Sequence, residues 1–319
     1  MEASMRGKRV VFTGASRGMG HFAAVELARR GAEIVVVGHN EARGAAAVKA
    51  IRSVGASADF LRADMGDASD VRKLAEAVLA RQGSIDVLIH SAGGLAPAGA
   101  RTREGVNRGF AQNFLGAYLL TRLLEERLLA SAPARVIAVG SSTHRMVKTF
   151  DVNDLMRPTK DLSQGGSFQR GSYQMVSYQV SKFAMTAWIL SLARRWGGRG
   201  VTANLLDPAM VKSELGEHFE GPGLLDFMMS RLVPFFVAVD PKRAAEYYVR
   251  LATDRGLEKV SGTYFVSGKE RPKDCSPLAL DPNMQRRIVE AAEAWAAPFL
   301  SASPATNGAD VVTLKTGGR

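Results

Sequence analysis

The sequence predicts an α/β fold built on one doubly wound parallel sheet of about seven strands, with helices on both faces. Two observations predict it. Short apolar runs alternate with segments of helical periodicity through most of the 319 residues, and a glycine-rich turn joins the first apolar run to the first helical segment. Parallel strands require helical crossovers of this kind. We expect a single domain over residues 1–300 and a disordered tail over 301–319.

The predicted elements follow one another along the chain without an internal linker. The strands are expected at 8–13, 33–37, 57–61, 85–89, 135–139, 201–206 and 262–266. The helices are expected in the stretch that ends at Gly31 and at 41–54, 69–81, 103–130, 178–196, 241–252 and 283–295. Two remaining segments, near 143–177 and 214–238, are long for connections in a compact domain. Long loops usually serve function, so we expect both to border the substrate.

Composition excludes several classes of protein. Hydrophobic residues make up 46% of the chain and charged residues 23%, as in ordinary soluble proteins. Lone Cys275 cannot close an intrachain disulfide or build a metal cage, so we expect no metal and a cytoplasmic location. No signal peptide or spanning segment is recognisable, so we expect no stable membrane insertion.

The net charge of +11 suits an anionic partner. Nucleic acid, a membrane surface and a phosphorylated cofactor are such partners. The arginines are spread along the predicted helices rather than clustered, so we expect no nucleic acid. A homo-oligomer is compatible with the sequence, which does not decide the oligomeric state.

The turn after the first strand has the pattern of a phosphate-binding loop. Glycine permits a tight turn and a close approach of the backbone to a pyrophosphate, whose charge is stabilised at a helix N-terminus. A simple turn would also use glycine, but the strand before and the helix after favour a dinucleotide and a Rossmann-type sheet. The expected contacts are Gly14, Ser16, Arg17, Gly18, Met19 and Gly20.

The end of the second strand bears on which dinucleotide is bound. An acidic residue usually binds the adenosine ribose there, but His39 and Asn40 stand in its place, with Arg43 one turn later and Arg17 in the glycine loop. Guanidinium groups attract a 2′-phosphate that a carboxylate would repel. We therefore expect NADP(H) to be preferred and NAD(H) to be possible. The alternative is that both arginines are merely solvated.

The segment 178–182 places a phenol and an ammonium four residues apart in a helical pattern. Residues at that spacing lie on the same helix face, and a positive charge beside a phenol favours the phenolate and lowers its pKa. Tyr178 and Lys182 are therefore an acid/base candidate. The same spacing also occurs by chance on exposed helices.

With these motifs in place, the chain resembles the short-chain dehydrogenase/reductase family over about residues 8–270. The order and placement of the family's motif residues agree along that length. They are the glycine loop from Thr13 to Gly20, Asp64, Ala92, Gly93, Asn113, Ser142, Tyr178, Lys182 and Pro208. Within the family, the segments 113–116 and 260–279 look most like the retinol-dehydrogenase-like and carbonyl-reducing members.

The resemblance implies four catalytic residues. Tyr178 would exchange a proton with the substrate oxygen, and Ser142 would hydrogen-bond that oxygen. Lys182 would hold the nicotinamide ribose and lower the pKa of Tyr178, while Asn113 would position a relay water. Ser141 could replace Ser142, but the register of family strands favours the second serine. The implied cofactor contacts are Asp64, Met65, Ala92, Gly93, Tyr178, Lys182, Pro208, Val211 and Ser213.

Three departures from the family pattern stand out. His90 and Ser91 replace two asparagines before Ala92, which puts the usual brace between strands in doubt. Ala209 replaces a glycine after Pro208, which restricts the backbone beside the nicotinamide, and Ser213 replaces a threonine. Tyr173 is not a second candidate acid, because Ser177 lies four residues on.

The leading interpretation is an NADP(H)-dependent oxidoreductase that interconverts a carbonyl and an alcohol on a bulky, largely apolar small molecule. One alternative keeps the fold for non-redox chemistry, as an epimerase, dehydratase or cyclase. Another is a cofactor-sensing binding protein without turnover, which would have no use for an acid/base pair.

Overall fold

The computed structural model describes residues 4–151, 167–211 and 238–301, with the side chains of 167–170 left aside. Part of the segment 143–177, most of the segment 214–238 and nearly all of the predicted tail 301–319 lie outside these ranges. The predictions made for those parts, and that of a single domain, stay predictions.

All strands in the described ranges join one sheet in the order β3-β2-β1-β4-β5-β6-β7-β8. The first seven pair in parallel, and β8 adds an antiparallel edge to β7. The strands are β1 Arg9–Thr13, β2 Glu33–Gly38, β3 Ala58–Arg62, β4 Val87–His90, β5 Ala134–Val139, β6 Val201–Asp207, β7 Tyr264–Val266 and β8 Lys269–Glu270. The predicted doubly wound sheet is confirmed, with one short strand more than expected.

Helices cover both faces of this sheet. They are α1 Gly18–Arg29, α2 Glu41–Arg52, α3 Ala68–Leu79, α4 Arg108–Phe110, α5 Gly116–Leu123, α6 Glu125–Ala130, α7 Ser167–Arg195, α8 Pro241–Thr253, α9 Pro277–Leu280 and α10 Pro282–Ser301. A π-helical turn, Ala111–Leu115, joins α4 to α5. In the described ranges, no helix has both the length and the apolar character needed to cross a membrane.

The strands bury both of their faces, which is why they read as continuous apolar runs. Val10 and Phe12 pack into one apolar cluster with α1, α2 and α8. Val11 points the other way, into a second cluster with α3, α5, α7 and α10. The core thus lies in two layers, and the ends of the strands remain available for a site.

The long helix α7 begins much earlier than the sequence indicated. The segment 143–177 was expected to be a loop, but residues from Ser167 onward are helical. Gly171, Gln174 and Ser177 are buried at helical spacing. Because these inward-facing residues are polar or small rather than apolar, their periodicity does not show as a hydrophobic pattern.

The predicted helix 103–130 is also wrong as a single element. The helical stretch begins only after Asn107, whose side chain caps it, and it is divided by the π-helical turn and by a break at Leu124. The last helix continues past the expected end at 295 to Ser301.

Candidate active site

The candidate residues gather at the carboxyl ends of β1, β4, β5 and β6. The chain order reverses between β1 and β4, and ligands of open α/β sheets bind outside the strand ends at such a switch point. The glycine loop follows β1, and the serine pair follows β5. The fold therefore brings together the motifs that the sequence spaces far apart.

Helix α7 carries Tyr178 and Lys182 past the end of β5. Lys182 is buried, and its Nζ donates to the carbonyl oxygen of Val139 at 2.8 Å. The same Nζ lies 5.6 Å from the centre of the Tyr178 ring. Burial lowers the pKa of Lys182 to about 8, an effect opposed by the charge of Asp207.

The phenol of Tyr178 does not have the lowered pKa expected from its lysine. Burial raises the pKa of Tyr178 to about 12, a hydrogen bond from Ser141 opposes that rise, and the charge of Asp207 adds to it. Desolvation disfavours a buried phenolate more than its neighbours favour it. Tyr178 is therefore protonated at neutral pH and arranged as a proton donor.

The structure places Ser141, not Ser142, beside the phenol. Ser141 hydrogen-bonds Tyr178, and its Oγ also accepts from the Oγ1 of Thr143 at 2.9 Å. Ser142 is exposed and lines an open depression with Arg145. The expectation for Ser142 is wrong although β5 ends at Val139, as predicted. In the turn that follows, the first serine faces the phenol and the second is exposed.

Asn113 lies in the π-helical turn, buried against the loop after β4. Its Oδ1 accepts from the backbone N–H of Gly94 at 2.8 Å, and its Nδ2 donates to the carbonyl oxygen of the same residue at 3.0 Å. A Cβ at Gly93 would overlap Asn113 and would come within 3.9 Å of Lys182 Nζ. Asn113, Gly93 and Lys182 are thus close together, as the resemblance implies.

The glycine loop has the close approaches that only glycine allows. A Cβ on Gly14, whose φ is +78°, would lie 2.7 Å from the backbone nitrogen of Ala92. A Cβ on Gly20 would lie 2.5 Å from the carbonyl oxygen of Gly14. Helix α1 begins with no side-chain cap and no acidic residue in its first turn. Its N-terminus therefore fits the pyrophosphate of a dinucleotide.

The residues after β2 lie at the far edge of this loop. Asn40 caps α2 by accepting from the backbone N–H of Arg43 at 2.9 Å, and a Cβ on Gly38 would lie 2.9 Å from Ser16 Oγ. His39 and Arg43 are exposed. Gly38, which has no side chain, leaves room for a phosphate at the end of β2, and the guanidinium groups of Arg17 and Arg43 lie nearby.

Asp64 lies after β3 but is already engaged. Its carboxylate forms an ion pair with Arg108 at the start of α4, and its Oδ1 accepts from the N–H of Gly66 at 2.9 Å. Met65 is buried, and its carbonyl lies so close to Gly116 that a Cβ there would overlap it. Both residues border the expected adenine side of the site, and their role in binding stays a prediction.

The replaced asparagines after β4 make braces of their own. Buried His90 pairs through Nε2 with the Oγ1 of Thr121 at 2.8 Å, and burial lowers its pKa to about 3. The Oγ of Ser91 pairs with the hydroxyl of Tyr248 at 2.7 Å. The brace that the sequence put in doubt is therefore supplied from helices α5 and α8.

Ala209 tolerates the conformation of the glycine that it replaces. Its φ is +62°, a left-handed value that costs roughly 1–2 kcal/mol for a residue with a Cβ. Its N–H donates to Asp207 Oδ1 at 2.8 Å, which helps to hold the turn. Val211 forms a parallel bridge to Val239, while Ser213 lies outside the described residues.

A brace between the start of α4 and α7 belongs to no motif recognised in the sequence. Asn107 Oδ1 accepts from the Oγ of Ser177 at 2.7 Å, and its Nδ2 donates to the hydroxyl of Tyr173 at 2.9 Å. Both partners lie within one turn and a half of Tyr178. The brace fixes the first part of α7 and gives Tyr173 a structural role.

The chain is similar in sequence to known proteins. The chain matches the family model described as short chain dehydrogenase over residues 8–150 and the one described as enoyl-(acyl carrier protein) reductase over residues 162–267. It is 32% identical to retinol dehydrogenase 13 from Homo sapiens over 291 residues, which is 90% of this chain and 84% of that protein. The chain belongs to the short-chain dehydrogenase/reductase family. It is thus an NAD(P)-dependent oxidoreductase acting on alcohol and carbonyl groups.

Solved structures agree with the fold. A dehydrogenase/reductase from Sinorhizobium meliloti 1021 is 25% identical, with a TM-score of 0.63 over 82% of this chain and 94% of that one. A short chain dehydrogenase from Burkholderia cenocepacia J2315, solved in complex with NADP, is 22% identical, with a TM-score of 0.64 over 83% of this chain and 98% of that one.

Proposed function

We propose that this enzyme reduces a bulky, largely apolar ketone or aldehyde with NADPH and catalyses the reverse oxidation. The observation that carries the proposal is the grouping of Ser141, Tyr178 and Lys182 at the end of β5. This group combines a protonated phenol, a hydroxyl that is hydrogen-bonded to the phenol, and a buried ammonium. Such a group serves carbonyl reduction, which requires a proton at the oxygen.

In this reaction the bound cofactor supplies a hydride to the carbonyl carbon. Tyr178 then gives its phenolic proton to the carbonyl oxygen, so that an alcohol forms and a phenolate remains. Ser141 donates a hydrogen bond to the developing oxyanion, and such preorganised donors lower the barrier. Lys182 stabilises the phenolate by its positive charge and has further N–H groups for the ribose. Asn113 anchors the loop after β4, which would border the bound cofactor.

The choice of NADPH rests on the end of β2. No carboxylate stands at residues 38–40, directly after Val37; the next one along the chain, Glu41, pairs with Arg62 at 3.6 Å. The glycine loop also carries Arg17. A 2′-phosphate would gain a charge-assisted contact there, which contributes about 1.5–3 kcal/mol. The relative from Burkholderia cenocepacia that was solved in complex with NADP supports the same choice.

The choice of a bulky apolar substrate rests on two features. The first is the segment 143–177, which the sequence suggests as one wall; Met146 and Val176 in it are largely exposed apolar side chains. The segment 215–236, which the sequence suggests as a second wall rich in Leu, Phe and Met, lies outside the described residues. The retinol dehydrogenase relative also points toward a long apolar substrate. Apolar walls with few polar groups are typical of small-molecule pockets.

The test is turnover by the purified protein. We expect NADPH absorbance to fall with retinaldehyde or a large aryl ketone, and less with acetone at the same concentration. The Tyr178→Phe protein serves as the control for non-enzymatic loss. Cofactor binding without turnover across aldehydes, ketones and alcohols would contradict the proposal and favour a sensor. Product formation without net change in NADPH would favour non-redox chemistry.

We also propose that the enzyme works in the cytoplasm, as the lone cysteine suggests. Cys275 is buried, and burial raises the pKa of its thiol to about 11, which suits a thiol that stays reduced. Fractionation of cells that make the tagged protein tests this. Recovery with washed membranes would contradict it.

A further inference from the structure

A buried carboxylate that the proposed reaction does not use lies at the end of β6. Asp207, the last residue of β6, is 2% exposed. Its Oδ2 accepts from the hydroxyl of Tyr264 at 2.7 Å, and its Oδ1 accepts from the N–H of Ala209 at 2.8 Å. Within the described ranges, no Lys or Arg forms a salt bridge with it. Burying an unpaired charge is costly, and such groups concentrate at functional sites.

The register of the sheet brings this carboxylate to the same end of the sheet as the Lys182 ammonium. The ammonium of Lys182 is bound to the carbonyl oxygen of Val139, at the end of β5. Val139 pairs with Leu206, the residue before Asp207. The two charges therefore lie at the ends of adjacent strands. The Asp207 charge raises the pKa of Lys182 against the effect of burial, and it also raises the pKa of Tyr178.

The other titratable groups around Asp207 are neutral, apart from one arginine. Burial, together with Asp207, raises the pKa of Tyr264, and burial raises that of Cys275. His144 Nε2 accepts from the N–H of Ser276 at 2.9 Å, and its Nδ1 lies 2.6 Å from the carbonyl oxygen of Ser141. These contacts fix the neutral Nδ1–H tautomer, and burial lowers the pKa of His144. Arg145 is charged but exposed.

We propose that Asp207 is a positioning residue whose buried negative charge acts on Lys182, beside Tyr178, and keeps the Lys182 ammonium protonated at neutral pH. Its catalytic meaning rests on the proposed function, because a charged Lys182 stabilises the phenolate that carbonyl reduction leaves. Its effect on Lys182 is measurable without turnover. Through Tyr264 the same carboxylate is linked to His144, 3.5 Å from the Tyr264 hydroxyl, and so to the turn that carries Ser141.

The direct test is the titration of Lys182 in the intact protein. Isotope-labelled lysine is observed by NMR at its ε-carbon, and the Lys182 signal is assigned by its loss in Lys182→Met. We expect a midpoint at about pH 8 in the wild type. In Asp207→Asn we expect the midpoint to fall by about 1–3 pH units, the range typical of losing a nearby opposite charge. Asp207→Glu, which keeps the charge, should restore it in part.

Tyr264→Phe is the matched control, because it removes a hydrogen-bond partner and leaves the carboxylate charged. Its Lys182 midpoint should equal or exceed that of the wild type. An unchanged midpoint in folded Asp207→Asn overturns the inference. If Asp207→Asn does not fold, Asp207→Ser takes its place, because it also removes the charge: a Lys182 midpoint equal to that of the wild type overturns the inference, and a lower one supports it.

Turnover supplies a second measurement. Loss of reduction activity at high pH follows deprotonation of Lys182 or Tyr178, and removal of Asp207 lowers the pKa of both. The alkaline limb of kcat/KM for carbonyl reduction should therefore move to lower pH in Asp207→Asn and stay in place in Tyr264→Phe. If the wild type reduces no carbonyl, the proposed function fails, while the NMR titration still decides the role of Asp207.

Discussion

The two sides of the site are built by different means. After β1, the cofactor side is shaped by main chain, since Gly14 and Gly20 approach neighbouring backbone too closely for any Cβ. After β5 and β6, the catalytic side is shaped by polar side chains such as Ser141, Lys182 and Asp207, whose partners come from distant elements. Substitutions on the first side should therefore impair binding and folding, and those on the second should impair turnover.

The largest effect is expected from Tyr178→Phe, which removes the proton donor and keeps the ring. Turnover should fall by about 10²- to 10⁴-fold, the usual contribution of a general acid, while the dissociation constant for NADPH stays near the wild-type value. Stopped-flow and fluorescence titration measure the two quantities. Tyr173→Phe is the control, because it removes a hydroxyl from the Asn107 brace and leaves the acid. Near wild-type turnover in Tyr178→Phe would contradict the assignment of Tyr178 as the general acid.

The serine pair offers a sharper comparison on the same side. Ser141→Ala should lower kcat by about 10²- to 10³-fold, as the loss of one oxyanion donor does. Ser142→Ala should change kcat less than about twofold, because an exposed hydroxyl outside such a site contributes little. Both are single-atom changes one residue apart, so steady-state kinetics separates them cleanly. The reverse order of effects would restore Ser142 to the reaction and contradict the placement of Ser141.

On the cofactor side, Arg17→Ala should narrow the preference for NADPH over NADH by about ten- to a hundredfold, equivalent to one charge-assisted contact. Calorimetry with each cofactor gives the ratio. The turnover number at saturating NADPH should change little, since the arginine lies away from the reacting carbon. Equal affinity of the wild type for both cofactors would contradict the proposal that a 2′-phosphate is recognised at the end of β2.

The smallest effect is expected in the free energy of unfolding of two glycine variants. Gly14→Ala and Gly55→Ala both force a Cβ into a positive-φ residue, with φ of +78° and +85°, but only at Gly14 does that Cβ meet other backbone. Gly14→Ala should therefore unfold more easily than Gly55→Ala by about 1–3 kcal/mol, the usual cost of overpacking. Urea unfolding measures both. Equal destabilisation of the two variants would mean that the loop relaxes without strain.

The same contrast explains what could be predicted from the sequence. The sheet, the glycine turn and the Tyr178–Lys182 pair depend on local periodicity and spacing, so they were predicted. The start of α7 was missed because its buried positions are polar or small. The choice of Ser142 failed although the end of β5 was predicted correctly, because which of two adjacent serines faces the site depends on the turn after the strand, which periodicity does not describe. Asp207 and Asn107 were not singled out by any sequence motif. Their roles depend on partners more than 50 residues away, such as Tyr264 and Ser177.

The π-helical turn between α4 and α5 has a consequence for how the chain can vary. One residue in an α-helix corresponds to a rotation of about 100°, and a π-turn takes up one extra residue without shifting the helix axis. Before the turn, Asn107 is fixed to α7; after it, Gly116 lies against the backbone of Met65. Deleting one residue from Ala111–Leu115 would turn Asn113 away from Gly94 or break one of these two attachments. Homologous chains should therefore tolerate substitution in this stretch more readily than any change in its length.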